Sequence, residues 1–208
     1  MPRSLRMDHL VVSCTDLEQG ATAIEHLLGV PLEPGGQHPK FGTHNRLLSL
    51  GPAEYFEVIA VNPSAPAPGR PRWFDLDRFA GPPRLSHWAL RCDDAEAVQG
   101  ALGFDETPVL ELSRGDLRWQ MAVPEDGRIA FDGAAPALLS WPPDVQHPAE
   151  RLPDRGCRLT RLEVIHPDAA ALTVALDHVL DPRIVVLKGP AKQLRAQIET
   201  PGGSVWIS

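Results

Sequence analysis

The sequence predicts an α+β fold: tandem βαβββ modules forming curled mixed sheets around a cleft, with an additional C-terminal βαβββ-like unit. Three observations predict it. Asp8–Gly29, DHLVVSCTDLEQGATAIEHLLG, recurs in shorter form as Ser86–Gly103, SHWALRCDDAEAVQGALG. His9 aligns with His87, Cys14 with Cys92, Asp16 with Asp94 and Leu28-Gly29 with Leu102-Gly103. Such an internal repeat constrains the architecture before any single motif does. Each copy is followed by short β-rich runs separated by Gly and Pro, as in hairpin-connected strands. Between the copies, Asn62–Pro83 carries six prolines, too many for a long regular element. The expected division is 5–61 for the first module, 62–84 for a Pro-rich connection and 85–141 for the second module. A connection over 142–157 then leads to a third, divergent β-α-β unit, 158–208, that completes the sheets.

Leu10–Val12 is a short β-branched strand with His9 at its entrance. Asp16 caps the helix that follows, with Gln19 as the reciprocal half of a capping box. Leu17, Ala21, Ile24 and Leu28 recur along one helical face, and Gly29 stops the element. Val30–Leu32 opens an extended segment that Gly35-Gly36 breaks. Thr43–Leu50 and Glu54–Ala60 read as antiparallel strands joined through Gly51-Pro52. Trp73, Phe74, Leu76 and Phe79 make the Pro-rich connection too apolar for a free tether, so it packs back against a sheet. In the second module Asp93 with Glu96, or Asp94 alone, caps a helix whose stripe is Ala95, Val98 and Leu102. Thr107–Leu112 and Leu117–Val123 flank an Arg114-Gly115-Asp116 turn, and Leu138–Trp141 is the candidate last strand. The third unit reads as strand Leu162–Ile165, a helix opened by Pro167, strand Arg183–Leu187, a half-buried alternation over Gln193–Glu199, and Val205–Ile207. Arg161 stands where a counterpart of His9 would be, so this unit reads as structural.

With 208 residues, 43% of them hydrophobic and 23% charged, the chain is long and apolar enough to bury a core without staples. A formal charge of -7 and the lack of a Lys/Arg cluster give no electrostatic reason to expect nucleic acid. Three scattered cysteines form no disulfide framework. No apolar run reaches the roughly 20 residues of a membrane span, and Met1–Met7 lacks the apolar core of a signal peptide, so no membrane partner and a cytoplasmic location are expected.

Four segments carry a family resemblance: DHLVVSCTDLEQG at Asp8–Gly20, FGTHNRLLSLG at Phe41–Gly51, YFEVIAV at Tyr55–Val61 and SHWALRC at Ser86–Cys92. In their order and duplication the chain resembles the vicinal-oxygen-chelate superfamily, the glyoxalase, extradiol-dioxygenase and fosfomycin-resistance group. More narrowly it is similar to the glyoxalase-like domain branch. The likeness is strong to Val123 and looser after it. In that superfamily the metal ligands come from the first and last strands of each module. The resemblance therefore implies His9 and His87 from the first strands and Glu57 from the last strand of module one. The fourth position departs from the pattern: Ser140 matches if Leu138–Trp141 is the last strand, Gln120 if Leu117–Val123 is.

Two imidazoles and one carboxylate suit non-haem Fe(II), and equally Zn or Mn, with Ni a further divalent candidate. Such a metal would keep open positions for two adjacent substrate oxygens. The other reading is a metal-free cleft. Tyr55, Glu57 and Ile59 share one strand face, so an unpartnered Glu57 carboxylate among apolar neighbours would be costly, which favours a partner for it. His44, with Asn45 and Arg46 beside it on a cleft-lining strand, is a guess for the proton-transferring group and ligand contacts. Tyr55, Phe56, Trp88 and Trp119 are expected to wall the cleft. Asp8 and Ser86 should point to the opposite face, as turn or cap residues. Cys14 and Cys92 read as matched burial, with no activating base in the sequence.

Three functions compete. One is a metal-dependent enzyme acting on a small molecule with vicinal oxygens, by isomerase, lyase or ring-cleavage chemistry. The second is a non-catalytic small-molecule-binding protein using the same cleft without metal. The third is a structural module that pairs as a homodimer across open sheet edges. The fold hosts all three, so the site must decide.

Overall fold

A computed structural model describes residues 5–102 and 107–208. Gly103, the last residue of the sequence repeat, lies outside the described residues. The elements follow the expected order: β1 (Arg6–Ser13), α1 (Leu17–Leu28), β2 (Glu33–His38), β3 (Thr43–Ser49) and β4 (Tyr55–Val61) build the first module. The second consists of β5 (Arg84–Arg91), α2 (Ala95–Ala101), β6 (Val109–Arg114), β7 (Leu117–Ala122) and β8 (Ala137–Ser140). A short helix α3 (Pro148–Arg151) precedes β9 (Arg158–His166), α4 (Ala169–Ala175), β10 (Ile184–Lys188), β11 (Gln193–Thr200) and β12 (Gly203–Ile207). No helix among the described residues is long and apolar enough to cross a membrane.

The two modules share one eight-stranded sheet ordered β2-β3-β4-β1-β5-β8-β7-β6. Within each module the first strand pairs in parallel with the last, β1 with β4 and β5 with β8; β1 and β5 join the modules antiparallel. The sheet curls until its edge strands β2 and β6 come together, where Lys40 Nζ donates to the Glu111 carbonyl at 3.0 Å. The result is nearly a barrel, and the cleft is its inside.

Alternation along the strands divides the core into two. Leu10, Val12, Phe56, Val58, Trp88, Leu90 and Leu138 face outward and pack on the stripes of α1 and α2. Val11, Ile59, Ala89, Ala137, Leu139, Trp119 and Met121 face inward, where Phe41, Trp73, Phe74 and Leu76 join them. The Pro-rich connection thus fills the inside of the near-barrel. Asp16 caps α1 by accepting from the Gln19 amide at 2.9 Å, and Asp94 does the same for α2 through Ala97 at 3.0 Å. Gly29 closes α1 in the left-handed conformation, φ 69°.

Two features differ from the sequence reading. Gly35-Gly36 does not break the chain; β2 runs through it, because only residues without a Cβ can pass so close to β3. A Cβ on Gly35 would lie 2.0 Å from Asn45 Oδ1. The third unit does not complete the first sheet. It forms its own four-stranded sheet, β10-β9-β11-β12, in which β9 pairs parallel with β10 and antiparallel with β11. With both edges of β9 taken, the unit instead covers the outer core through Leu162, Val164, Leu194, Ala196 and Ile198.

Candidate functional site

Inside the near-barrel lies a narrow cleft, walled by Trp73, Phe74, Trp119, Met121, Leu139 and Trp141, with His9, His38, Tyr55, Glu57 and Arg114 among its polar lining. Its centre is two hydrogen-bonded pairs, Asp8–His9 and Asn45–Glu57, that face each other across a gap. Asp8 Oδ1 lies 2.6 Å from His9 Nδ1. His9 Nε2 lies 3.7 Å from Glu57 Oε2, and Glu57 Oε1 accepts from Asn45 Nδ2 at 2.5 Å. Asn45 Oδ1 in turn accepts from the Gly36 amide at 2.8 Å, which fixes the amide so that its NH2 meets the carboxylate. The close pass of Gly35-Gly36 therefore orients Glu57 at second hand.

Asp8 lies where simple alternation would turn it away from His9. A register shift between Met7 and His9 in the β1–β5 ladder leaves Asp8 as the extra residue of a bulge, and bulges re-aim side chains. Its carboxylate is wholly buried. Besides His9 it accepts from Trp141 Nε1 at 2.9 Å and from His147 Nε2 at 3.0 Å. Burial pushes the Asp8 carboxyl up, but the hydrogen bonds from His147 and His9 outweigh it and hold the group below its usual range. An ionised Asp8 can only accept, so His9 donates to it from Nδ1 and turns Nε2 toward Glu57. A gap of 3.7 Å is too long for a hydrogen bond. An imidazole nitrogen and a carboxylate oxygen thus point at one place in the cleft.

The surrounding groups are tuned by the same burial. Tyr55 stacks on the His9 ring at 4.6 Å; burial first, then the Asp8 and Glu57 charges, push its phenol well above the usual value, so it stays protonated. His38, with Nδ1 3.0 Å from Thr43 Oγ1, is held neutral by burial and by the Arg114 charge.

The other sequence candidates separate by strand face. His44 and Arg46 flank inward-facing Asn45 and so turn outward to α1, where Arg46 donates to Glu18 at 2.7 Å. His44 is under the influence of Glu18 and Asp16 on that side. Trp88 also faces outward, its Nε1 donating to the Ala134 carbonyl at 2.8 Å, and Phe56 joins it in the outer core. Neither walls the cleft, whereas Tyr55 and Trp119 do. Ser140 and Gln120 pair with each other across β7 and β8 and line a groove on the outer side. The matched cysteines explain why: Cys14 N donates to Ile59 O and Cys92 N to Leu139 O, at 3.0 and 2.9 Å. Leu139 therefore corresponds to Ile59, and two residues back Ala137 corresponds to Glu57.

His87 shares the inner face with Val11, its partner in the ladder, but the Phe74 ring packs on it at 5.0 Å. It lines a separate cavity with Asp75, Arg78, Arg128, Asp132 and Gly133. A Cβ on Gly133 would come within 2.6 Å of His87 Nε2, and Nδ1 has no hydrogen-bond partner. Burial and then the Lys192 charge keep the ring neutral. His9 and Glu57 are together; His87 is not with them. Among the described residues no group of three or more His, Cys, Asp and Glu is placed to hold a metal ion. The donor set present therefore does not fit the three-ligand centre that the resemblance implies.

Sequence reasoning missed Arg114, Trp141 and His147, turned Asp8 to the wrong face, and read His38 as a loop residue, a lid contact or mere surface, where it ends β2 and lines the cleft. The bulge at Asp8 left no mark in the pattern, and His147 lies in a connection beyond the repeat. Arg114 looked like a turn residue but ends β6, with the turn itself carried by Gly115 at φ 60°.

Residues 7–180 match the family described as a glyoxalase-like domain. Among solved structures, the chain is similar to a hypothetical protein from Staphylococcus aureus, with TM-score 0.65, 14% identity, and 91% of this chain and 88% of that one covered. It also aligns with methylmalonyl-CoA epimerase from Mycobacterium tuberculosis, with TM-score 0.43, 21% identity, and 66% of this chain and 88% of that one covered. At these identities the likeness is one of fold. No curated protein sequence matches the chain.

Proposed function

Because the chain belongs to the glyoxalase-like domain family, within the vicinal-oxygen-chelate superfamily, we propose that it is an enzyme acting on a small molecule with vicinal oxygens, and that its reaction is a proton transfer at carbon centred on Glu57 and His9. One observation carries this reading. Two buried proton-transfer groups, His9 Nε2 and Glu57 Oε2, face each other 3.7 Å apart in the cleft. Glu57 takes the proton from the hydroxyl-bearing carbon next to a carbonyl and returns it to the carbonyl carbon, while His9 Nε2, its ring held by Asp8, takes the hydroxyl proton and hands it to the carbonyl oxygen. Asn45 and Asp8 position these two groups without touching the reacting atoms. The sequence of steps is that of an isomerase and uses only groups present in the chain.

The test is solvent exchange. Incubation in D2O with a panel of 2-hydroxyketones, 2-oxoaldehydes and 2-hydroxy acids should place deuterium on the carbon beside the carbonyl or carboxyl of at least one, read by NMR. Glu57→Gln should slow that exchange about 10²–10⁴-fold, and His9→Asn should slow it as well. No exchange on any compound, or equal exchange by Glu57→Gln, defeats the reading. Elemental analysis of the same samples addresses the metal alternative: near-stoichiometric metal lost in both His9→Ala and Glu57→Ala would replace this mechanism with the one expected from the resemblance. The aromatic walls Trp73, Phe74, Trp119 and Trp141 support the second reading, ligand binding without chemistry; it predicts tight binding with no exchange.

A further inference from the structure

Among the described residues that line the cleft, Arg114 carries a charge with no ion-pair partner. It is 8% exposed. Its stem lies on Gly36, where a Cβ would come within 2.7 Å of Arg114 Cγ. It lines both the inner cleft and an outer groove formed by Glu33–Gly36, Gly115–Leu117 and Pro148–Pro153, so it stands where the two meet. From there its charge bears on His38 and Tyr55. Among the described residues no carboxylate is in ion-pair contact with the guanidinium. The other arginines around the same groove are paired, Arg151 with Asp116 at 2.7 Å and Arg155 with Glu33 at 2.6 Å.

A buried cation without a counter-ion is costly, and burial is retained where an anion completes it. The guanidinium is a flat fork that matches a carboxylate through two parallel hydrogen bonds. Glu57 lines the same cleft, and its carboxylate repels a negative group and so favours an acid with its charged end on Arg114. A single guanidinium balances a monoanion, and the room beside it for a molecule of a few carbons lies in the outer groove, lined with Arg114 by Gly35, Gly36, Leu117 and Pro148, from which the narrow cleft opens.

We propose that the substrate is a small carboxylic acid whose carboxylate seats on Arg114, at the junction of cleft and groove, with the adjacent oxygen-bearing carbon presented to His9 and Glu57. This rests on the cleft being the reaction site, and it adds the substrate class.

The experiment is ligand-observed NMR titration of the whole chain with lactate, glycerate and 2-hydroxybutyrate, beside neutral lactamide and inorganic phosphate. At least one acid should bind, lactamide at least tenfold more weakly than lactate, and phosphate should not displace the acid. Arg114→Met should weaken acid binding at least tenfold while Arg114→Lys recovers part of it. Gly36→Ala, which keeps the charge but pushes the stem aside, should weaken it too. No binding of any acid, lactamide binding like lactate, unchanged affinity in Arg114→Met, or phosphate binding more tightly each overturns the proposal. Failure of the proton-transfer reading looks different: Arg114-dependent acid binding would persist, in the parent and in Glu57→Gln, with no exchange in either.

Discussion

The two modules place the same strands in the same order, yet their inner faces have opposite character. In the first, His9 and Glu57 meet, and Asp8 and Asn45 hold them. In the second, His87 stands at the place of His9 with an unpartnered Nδ1, Ala137 stands at the place of Glu57, and Phe74 and Gly133 close the space. Ser86, the counterpart of Asp8, spends its hydroxyl on Ser13 at 2.6 Å and the Val11 carbonyl at 3.3 Å. The difference teaches that duplication of a backbone copies strand position, while a buried polar site also needs irregularities that supply partners. Here these are the bulge at Asp8 and the Gly35-Gly36 approach to Asn45.

The comparison breaks most sharply if a carboxylate can be moved across. Ala137→Glu puts an acid at the strand place that Glu57 holds, without an Asn45 to answer it. An uncompensated buried charge should cost about 3–5 kcal/mol in denaturant unfolding. A cost under about 1 kcal/mol would mean that strand position alone accommodates the charge. Asp8→Asn tests the partners from the other side. The variant keeps the shape but sets an NH2 group against three donors, from His9, Trp141 and His147. A loss of about 1–3 kcal/mol is expected, with a change in the His9 tautomer visible in its ring nitrogen shifts.

Acid probes buried titrating groups in both halves. His38 and His87 are held neutral by burial, below the ordinary 6.5. Their unfolded forms take up protons first, so stability is full above about pH 6.5 and falls as pH drops below it. The slope is at most about 1.4 kcal/mol per pH unit for each ring. Asp8, with its carboxyl depressed below 3.8, contributes stability that is present above about pH 4 and is lost only as pH falls further. Urea midpoints should therefore already decline between pH 7 and 5, before carboxylates titrate. A flat profile there would contradict the burial of the two rings.

Most of the frame was legible in the sequence because periodicity and caps report local physics. Leu17, Ala21, Ile24 and Leu28 are buried on α1, and Asp16 and Gly29 bound it as read. Face alternation from Tyr55 to Ile59 likewise put Glu57 inward, and the apolar run at Trp73–Leu76 was seen to need cover. The rest depended on facts that no local pattern contains. A one-residue bulge reversed Asp8, and the parity of β3 and β8 sent His44, Arg46 and Ser140 outward. Whether His9 and His87 converge depended on Phe74, a residue of the connection whose place between them is set only by tertiary packing.

The finest test of the comparison is His87→Leu against His9→Leu. His87 is about 5% exposed and its Nδ1 satisfies nothing, so the folded state bears the desolvation of a polar nitrogen without return. Leucine fills a similar volume against Phe74 and needs no partner, although Gly133 limits how far its branch can reach. Stability should change by no more than about 1 kcal/mol, and a gain is the physically favoured sign. His9→Leu instead strips a donor from buried Asp8 and should cost about 1–3 kcal/mol. The acid slope supplies a second readout: His87→Leu should flatten part of the decline below pH 6.5, because one of the rings that the unfolded chain protonates is gone. A large loss in His87→Leu with an unchanged slope would show that His87 has a partner in solution. The second half would then be a polar site as well, and the asymmetry between the modules would collapse.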